Sequence, residues 1–144
     1  MNVEAILRSK GSWVATITPE AGVVEAAALL ARHGIGALVV CNPAEKIVGI
    51  VSERDITRAL GAVGSAIANL HVADIMTREV HTCSRRDSVD KLALDMTQRR
   101  IRHLPVVGDG ELVGLVSIGD VVKSRIDELQ QETNALHRYI TDGR

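Results

Sequence analysis

The 144-residue chain has few aromatic residues and few cysteines. It contains no Phe, and Trp13 and Tyr139 are its only Trp and Tyr. Proteins that stack single-stranded nucleic acid need more such rings, and a net charge of -1 gives no broad basic surface, so nucleic-acid binding is not expected. Cys41 and Cys83 are not in a CxxC pattern, which indicates neither a disulfide scaffold nor a zinc knuckle.

Long apolar runs and targeting signals are also missing. No stretch approaches the roughly 18 apolar residues that a membrane-spanning helix requires. The first ten residues lack the apolar core after basic residues that marks a signal peptide, so a cytoplasmic location is predicted. His33, His71, His81 and His137 show no HxxxH or HxH spacing, so no metal site is predicted.

One heptapeptide pattern occurs twice, as Gly49–Asp55 (GIVSERD) and as Gly114–Asp120 (GLVSIGD). Each copy ends an apolar run at a Ser, places an Asp three residues later and continues with helical spacing. This pattern resembles a capping box at a strand-to-helix junction. The same junction suits a phosphate or a sugar, because free N–H groups, a hydroxyl and a carboxylate meet there. The residues alone leave both interpretations open.

The heptapeptides belong to a longer internal duplication. Residues align at an offset of 66 from Val14/Val80 to Leu38/Leu104, and at 65 from Gly49/Gly114, because the second hairpin turn is one residue shorter. The pattern predicts a β-α-β-β-α unit in two copies, an α/β fold in which the repeats pack with pseudo-two-fold symmetry. We predict a first repeat at 1–62 with an N-terminal helix, a second at 63–122 and a helical extension at 123–144. Predicted strands include Trp13–Ile17 and Val80–Cys83, and Gly61–Ala68 is predicted to be a flexible linker.

The final helix carries a second periodic signal. Its apolar positions are spaced 4-3-4-3-4, with one polar interruption, at Val122, Ile126, Leu129, Thr133, Leu136 and Ile140. This heptad spacing indicates either a seam between helices of two molecules or an amphipathic helix lying on its own domain.

Together with Arg102–Val107 (RHLPVV) and Asp74–Thr77 (DIMT), the two heptapeptides resemble the cystathionine-β-synthase (CBS) domain family. The resemblance covers about residues 3–122 and indicates a stand-alone tandem pair of the kind found in bacterial signal-transduction proteins. It implies a regulatory module that binds adenosine-containing ligands in the cleft between the repeats. It also implies a homodimer that acts on an unknown regulated protein.

The resemblance further implies which residues bind the ligand. Asp55 and Asp120 would accept from the ribose hydroxyls, which fits because a carboxylate can accept from both hydroxyls of a diol. Ser52 and Ser117 would lie near ribose and phosphate. Basic residues would bind phosphate, and small residues would leave room for adenine. The basic residues are Arg54, Arg102 and His103, and the small ones are Gly36 and Ala37.

Because Arg54 aligns with Gly119, and Gly36-Ala37 with Arg102-His103, the two clefts are expected to bind unequally. No nucleophile–base arrangement, P-loop or GxGxxG motif occurs, so the chain is predicted not to be an enzyme. No cofactor is required; AMP, ADP, ATP or NAD is the expected regulatory ligand. The alternative is a structural homo-oligomerisation module with empty clefts.

Overall fold

The structure is a computed structural model that describes residues 1–143; Arg144, the end of the predicted extension, lies outside the described residues. Within residues 1–143 the chain forms six α-helices and five strands. The helices are α1 (Val3–Lys10), α2 (Val23–His33), α3 (Glu53–Val63), α4 (Val72–Ile75), α5 (Val89–Arg99) and α6 (Ile118–Asp142). The strands are β1 (Thr16–Ile17), β2 (Ala37–Cys41), β3 (Ile47–Ser52), β4 (His103–Gly108) and β5 (Glu111–Ser117).

The first repeat builds a three-stranded sheet in the order β1-β2-β3. Strand β1 is parallel to β2, and β2 is antiparallel to β3 with Ala37 opposite Ser52. Of the strand predicted at Trp13–Ile17, only Thr16 and Ile17 pair as a strand. The β2–β3 hairpin ends at Ser52, so the first heptapeptide passes from the sheet directly into α3.

The second repeat has a two-stranded sheet in which β4 is antiparallel to β5, with His103 opposite Ser117. The strand predicted at Val80–Cys83 is wrong: only Cys83 pairs there, as an isolated parallel bridge to Val106. The Cys83 N–H donates to the Pro105 carbonyl at 2.9 Å. The backbone side of Pro105 that lacks an N–H therefore faces this short bridge, so Pro105 removes no hydrogen bond between β4 and β5.

Each repeat has its own core, and the two cores exchange their first helices. Val3, Ile6 and Leu7 of α1 pack with the buried residues of the second repeat. Val72 and Met76, which begin the second repeat in sequence, pack into the core of the first. The sequence repeats are therefore interlocked in space, and each cleft between them receives residues from both.

The segment predicted to be a flexible linker is helical. Residues Gly61–Val63 complete α3, and Gly64–Asn69 form a 3₁₀ turn. Small residues without Pro can continue a helix, so their size alone was a weak sign of flexibility. The expected α/β class with two packed β-α-β-β-α units and a long C-terminal helix is confirmed, although the second unit's first strand is reduced to one bridge.

Helix α6 leaves its own domain after its first turns. Val121 and Ser124 are buried, but the apolar seam residues Val122, Ile126, Leu129, Leu136 and Ile140 are 51–61% exposed. One interpretation of the heptad pattern, a helix lying with its seam on its own domain, is therefore wrong. In the described part of the chain, neither α6 nor any other helix combines the length and apolar character needed to cross a membrane.

Candidate functional site

Both heptapeptides form the same local structure, a capping box. At the first junction the Ser52 N–H donates to Asp55 Oδ2 at 2.9 Å, and the Asp55 N–H donates to Ser52 Oγ at 3.3 Å. At the second, the corresponding distances between Ser117 and Asp120 are 2.8 and 3.2 Å. The motif therefore starts α3 and α6 by satisfying their free N–H groups.

A cavity of about 400 Å³ opens beside the first junction. It is lined by six of the predicted site residues, which come from both repeats: Gly36, Ser52, Arg54, Asp55, Arg102 and His103. Sequence reasoning placed Gly36 on an edge of the first repeat and Arg102 on an edge of the second, and both residues line this one cavity. Ala37 does not line this cavity, because its side chain is 1% exposed and lies inside the sheet.

The cavity carries an excess of positive charge. Five arginines line it: Arg54, Arg58, Arg99, Arg100 and Arg102. Three carboxylates stand against them: Glu53, Asp55 and Glu79. The Arg54 guanidinium donates to the Arg100 carbonyl at 3.3 Å, which holds it across the gap between the repeats. This balance favours an anionic ligand, and arginine binds phosphate in a bidentate way.

The ring of His103, in the second repeat, lies against Gly36 of the first repeat. A Cβ on Gly36 would come within 3.2 Å of its ring, so glycine at position 36 permits this contact. Burial lowers the pKa of His103, and the nearby Glu53 carboxylate only partly opposes this. At neutral pH the imidazole is therefore neutral and can donate or accept one hydrogen bond at each nitrogen, according to its tautomer.

The second junction has a different neighbour. The Lys10 amine, at the end of α1, lies 2.7 Å from Asp120 Oδ2 and 2.9 Å from the Leu115 carbonyl oxygen. Burial by itself raises the pKa of Asp120, but hydrogen bonds from Lys10 and the Ser117 N–H, together with the charge of Lys10, hold it below its ordinary value. Asp120 lines a separate groove of about 390 Å³ between α1 and α6.

Two residues that sequence reasoning did not single out thus contact the heptapeptide carboxylates. Thr77 donates its hydroxyl to Asp55 Oδ1 at 3.3 Å, and Lys10 donates to Asp120. Thr77 stands in the DIMT segment, which gave some signal of importance. Lys10 is 110 residues from Asp120, and nothing in the local sequence indicates that contact.

No group of three or more His, Cys, Asp or Glu side chains that could hold a metal ion is found in the described range, 1–143.

Comparisons with known proteins agree with this architecture. A model of the CBS domain matches residues 14–62 and 72–127. CBS domain-containing protein CBSX3, mitochondrial, of Arabidopsis thaliana is 36% identical over 150 residues, covering 98% of this chain and 72% of that protein. The crystal structure of the CBS-domain containing protein ATU1752 from Agrobacterium tumefaciens is 40% identical, with a TM-score of 0.85, covering 87% of this chain and 99% of that one.

A second similar structure contains ligands. The CBS domain pair of protein MJ0100, in complex with 5′-methylthioadenosine and S-adenosyl-L-methionine, is 31% identical with a TM-score of 0.72 and covers 85% of this chain and 98% of that chain. The match to the family model and the relatives found over nearly the whole length lead to one conclusion: this chain belongs to the CBS domain family and carries two copies of the domain.

Proposed function

We propose that this chain is a regulatory module that binds an adenine nucleotide, AMP, ADP, ATP or NAD, in the cavity at the first heptapeptide. One observation carries the proposal: an acceptor for a ribose diol, Asp55, faces arginines from both repeats across a single cavity. The MJ0100 pair in complex with 5′-methylthioadenosine and S-adenosyl-L-methionine supports adenosine as the shared part of the ligand.

Each part of a nucleotide has a partner in this cavity. Within residues 1–143, Asp55 Oδ1 receives a single hydrogen bond, from Thr77 at 3.3 Å, and it can also accept from the ribose hydroxyls. Arg54 and Arg102 bind the phosphates, next to the N-terminus of α3, whose dipole also favours an anion. Ile50, Val80 and Ile101 give the base an apolar surface.

The charge of the cavity sets an order among the ligands. Five arginines against three carboxylates attract the phosphates of ATP and ADP more strongly than the single phosphate of AMP. S-adenosylmethionine carries a sulfonium, an ammonium and a carboxylate group, and the arginines repel its net positive charge. We therefore expect affinity to fall from ATP and ADP through AMP to S-adenosylmethionine.

Binding, rather than catalysis, fits the geometry of this site. The Ser52 hydroxyl is engaged in the helix cap with Asp55, and the His103 ring faces Gly36. A ligand that contacts Asp55 of the first repeat and Arg102 of the second connects the two repeats. It therefore favours the relative position of the repeats in which both side chains contact the ligand. The change passed to a regulated protein is limited by the ligand's preference for that arrangement.

A thermal-shift screen tests the proposal. The protein is heated with ATP, ADP, AMP, NAD or S-adenosylmethionine at millimolar concentration. A nucleotide at 100 times its Kd adds about 2.7 kcal/mol to the free energy of unfolding, which raises Tm by several degrees. Asp55→Ala should abolish the shift. Asp120→Ala is the matched control, because each Asp closes a capping box, and it should keep the shift.

Two outcomes contradict the proposal. One is that none of the five compounds raises Tm. The other is that the shift survives Asp55→Ala and disappears in Asp120→Ala, which would place the ligand at the second junction. The first outcome would favour the alternative, a structural homo-oligomerisation module with empty clefts.

The exposed seam of α6 favours a second candidate role, homodimerisation. Five large apolar side chains along one face of this helix are 51–61% exposed, and together with Thr133 they follow the 4-3-4-3-4 spacing of two-stranded coiled coils. A second copy of α6 would cover this seam, and in a parallel pair Glu132 would lie across the flank from His137 of the second copy.

Light scattering on a chain that ends at Glu128 tests this role. This truncation keeps Ser124, whose hydroxyl contacts the Met1 sulfur, and Arg125 and Glu128, which pair with Asp90 and the N-terminus. It removes the seam from Leu129 onward. The whole chain should be a dimer and the truncated chain a monomer with an unchanged fold. A dimer that persists after truncation would exclude α6 as the interface.

A further inference from the structure

We propose that the second cleft is an adenosine site that Lys10 holds closed, so that this chain takes one ligand and not two. The inference rests on the proposed function in one respect: it assumes that the Ser-x-x-Asp junctions of this fold read ribose. Lys10 is then the residue that makes the two clefts unequal. The sequence alone attributed this inequality to other residues, among them Arg54 and Gly119.

The two first helices occupy equivalent places. Asn2 and His71, which precede α1 and α4, bridge to Ser88 and Gly22 respectively. The next residues, Val3 and Val72, are both fully buried. Helix α1 has eight residues, however, and α4 has four. Lys10 lies in the extra turn of α1, for which the first cleft has no counterpart.

At the first cleft, the chain after α4 makes three hydrogen bonds. The Thr77 N–H donates to the Ile50 carbonyl at 2.9 Å, and the Ile50 N–H donates to the Thr77 carbonyl at 3.0 Å. The Thr77 hydroxyl donates to Asp55 at 3.3 Å. All these groups are neutral apart from the carboxylate, so none of these hydrogen bonds neutralises Asp55.

At the second cleft, one ammonium group replaces two of these donors. Leu115 is the counterpart of Ile50 in the repeat, and its carbonyl accepts from the Lys10 amine at 2.9 Å. The same amine lies 2.7 Å from Asp120, which is the distance that a ribose hydroxyl would take. Lys10 thus replaces both Thr77 donors: it donates to the Leu115 carbonyl as the Thr77 N–H does to Ile50, and to Asp120 as the Thr77 hydroxyl does to Asp55. Its positive charge also neutralises Asp120.

The pair is held in place by its surroundings. The side chains of Lys10 and Asp120 are 36% and 20% exposed, so the ion pair is partly shielded from water. Leu7, one turn before Lys10, packs on Gly114, where an added Cβ would meet its side chain at 2.6 Å. The end of α1 therefore has to shift, or Lys10 has to move away, before a ribose hydroxyl can take the place of Lys10 on Asp120 Oδ2.

The chemistry of the closed site predicts which adenosine compound it would take. Gly119 stands where the first junction has Arg54, and no arginine among residues 1–143 lines the groove beside Asp120. Once Lys10 is removed, Asp120 is left as an unpaired carboxylate. The opened site should therefore prefer an uncharged nucleoside, adenosine itself, to ATP.

Isothermal titration with adenosine in an Asp55→Ala background isolates the second cleft. Asp55→Ala alone should bind no adenosine, and Asp55→Ala with Lys10→Met should bind one per chain. Adding Asp120→Ala should abolish that binding. Lys46→Met in place of Lys10→Met is the control, because Lys46 is exposed in the turn before β3. ATP should bind the opened site at least 10-fold more weakly than adenosine.

The results separate this inference from the proposed function, because the latter is read from ATP binding to the unmodified chain. Adenosine binding to Asp55→Ala with Lys10 present would overturn the inference, and so would no binding after Lys10→Met. If Lys10→Met does not fold, acetylation of the unmodified protein decides. Lys10 should react several-fold more slowly than Lys46, and Asp120→Asn should remove this difference; equal rates without that substitution would overturn the closure.

Discussion

The two Ser-x-x-Asp junctions share their local structure and differ in what the rest of the chain brings to them. Both are capping boxes with hydrogen bonds of 2.8 to 3.3 Å. The first faces a cavity with five arginines and receives a neutral hydroxyl from Thr77. The second receives the ammonium of Lys10. The local motif thus starts a helix, whereas the side chain that the other repeat supplies determines whether the carboxylate remains available to a ligand.

The comparison also explains why the Gly36 edge of the first repeat and the Arg102 edge of the second meet in one cavity. The Glu53 N–H donates to the Gly36 carbonyl at 3.0 Å, and the Ile118 N–H donates to the Arg102 carbonyl at 2.8 Å. Each edge is therefore fixed beside its own helix start. Because the repeats pack face to face with the His103 ring against Gly36, Arg102 reaches across to the first junction.

The largest expected effect concerns the packing of the first helices beneath the two clefts. Two glycines test whether this packing is similar at both junctions. An added Cβ at Gly49 would lie 2.6 Å from the Met76 sulfur, and one at Gly114 would lie 2.6 Å from Leu7 Cδ2. Gly49→Ala and Gly114→Ala should each lower the free energy of unfolding by about 1–3 kcal/mol, as overpacking does. Urea denaturation of both variants measures the two costs.

The cost should be greater at Gly49. There the added Cβ also approaches the Thr77 backbone oxygen at 3.0 Å, which can move less than a side chain. Gly61→Ala is the control, since it has open space around it inside α3 and should stabilise the helix by about 0.5–1 kcal/mol. Glycine costs near zero at either junction would show that the first helices do not pack as described.

The charge difference between the clefts should appear as a smaller, pH-dependent effect. The pKa of Asp120 is held below its ordinary 3.8, with Lys10 among the causes. A carboxyl group with a lowered folded-state pKa stabilises the fold above its unfolded pKa and loses this contribution as the pH falls through the folded pKa. Lys10→Met should therefore cost about 0.5–1 kcal/mol at pH 7, a magnitude typical of a partly exposed pair.

Urea denaturation from pH 7 to pH 3 follows this difference. The gap between the unmodified protein and Lys10→Met should stay constant down to about pH 4 and then narrow as Asp120 is protonated. Lys46→Met should differ from the unmodified protein equally at every pH. A gap that does not change with pH would mean that Lys10 stabilises the fold by packing alone.

The sequence predicted the parts of this molecule that depend on local pattern. The duplicated heptapeptides, their helix caps and the hairpins between β2 and β3 and between β4 and β5 follow from residue spacing and turn chemistry. Six of the nine predicted site residues line one cavity, and for these the family resemblance was the decisive guide.

The rest depends on contacts between distant residues. Val80–Cys83 has strand-forming residues, but only Cys83 pairs with β4, as an isolated bridge to Val106. The linker at residues 61–68 became helical because it packs against α2 and α3. Lys10 and Asp120 meet only because the first helices are exchanged between cores, and no local signal records such an exchange.

A crystal structure of the chain grown with the nucleotide that gives the largest thermal shift tests the central claim most directly. The account predicts one nucleotide per chain, with its ribose hydroxyls on Asp55 and its phosphates on Arg54 and Arg102. It also predicts that Lys10 remains paired with Asp120 in the same crystal. A nucleotide whose ribose lies on Asp120, with the cavity beside Asp55 empty, would contradict the account.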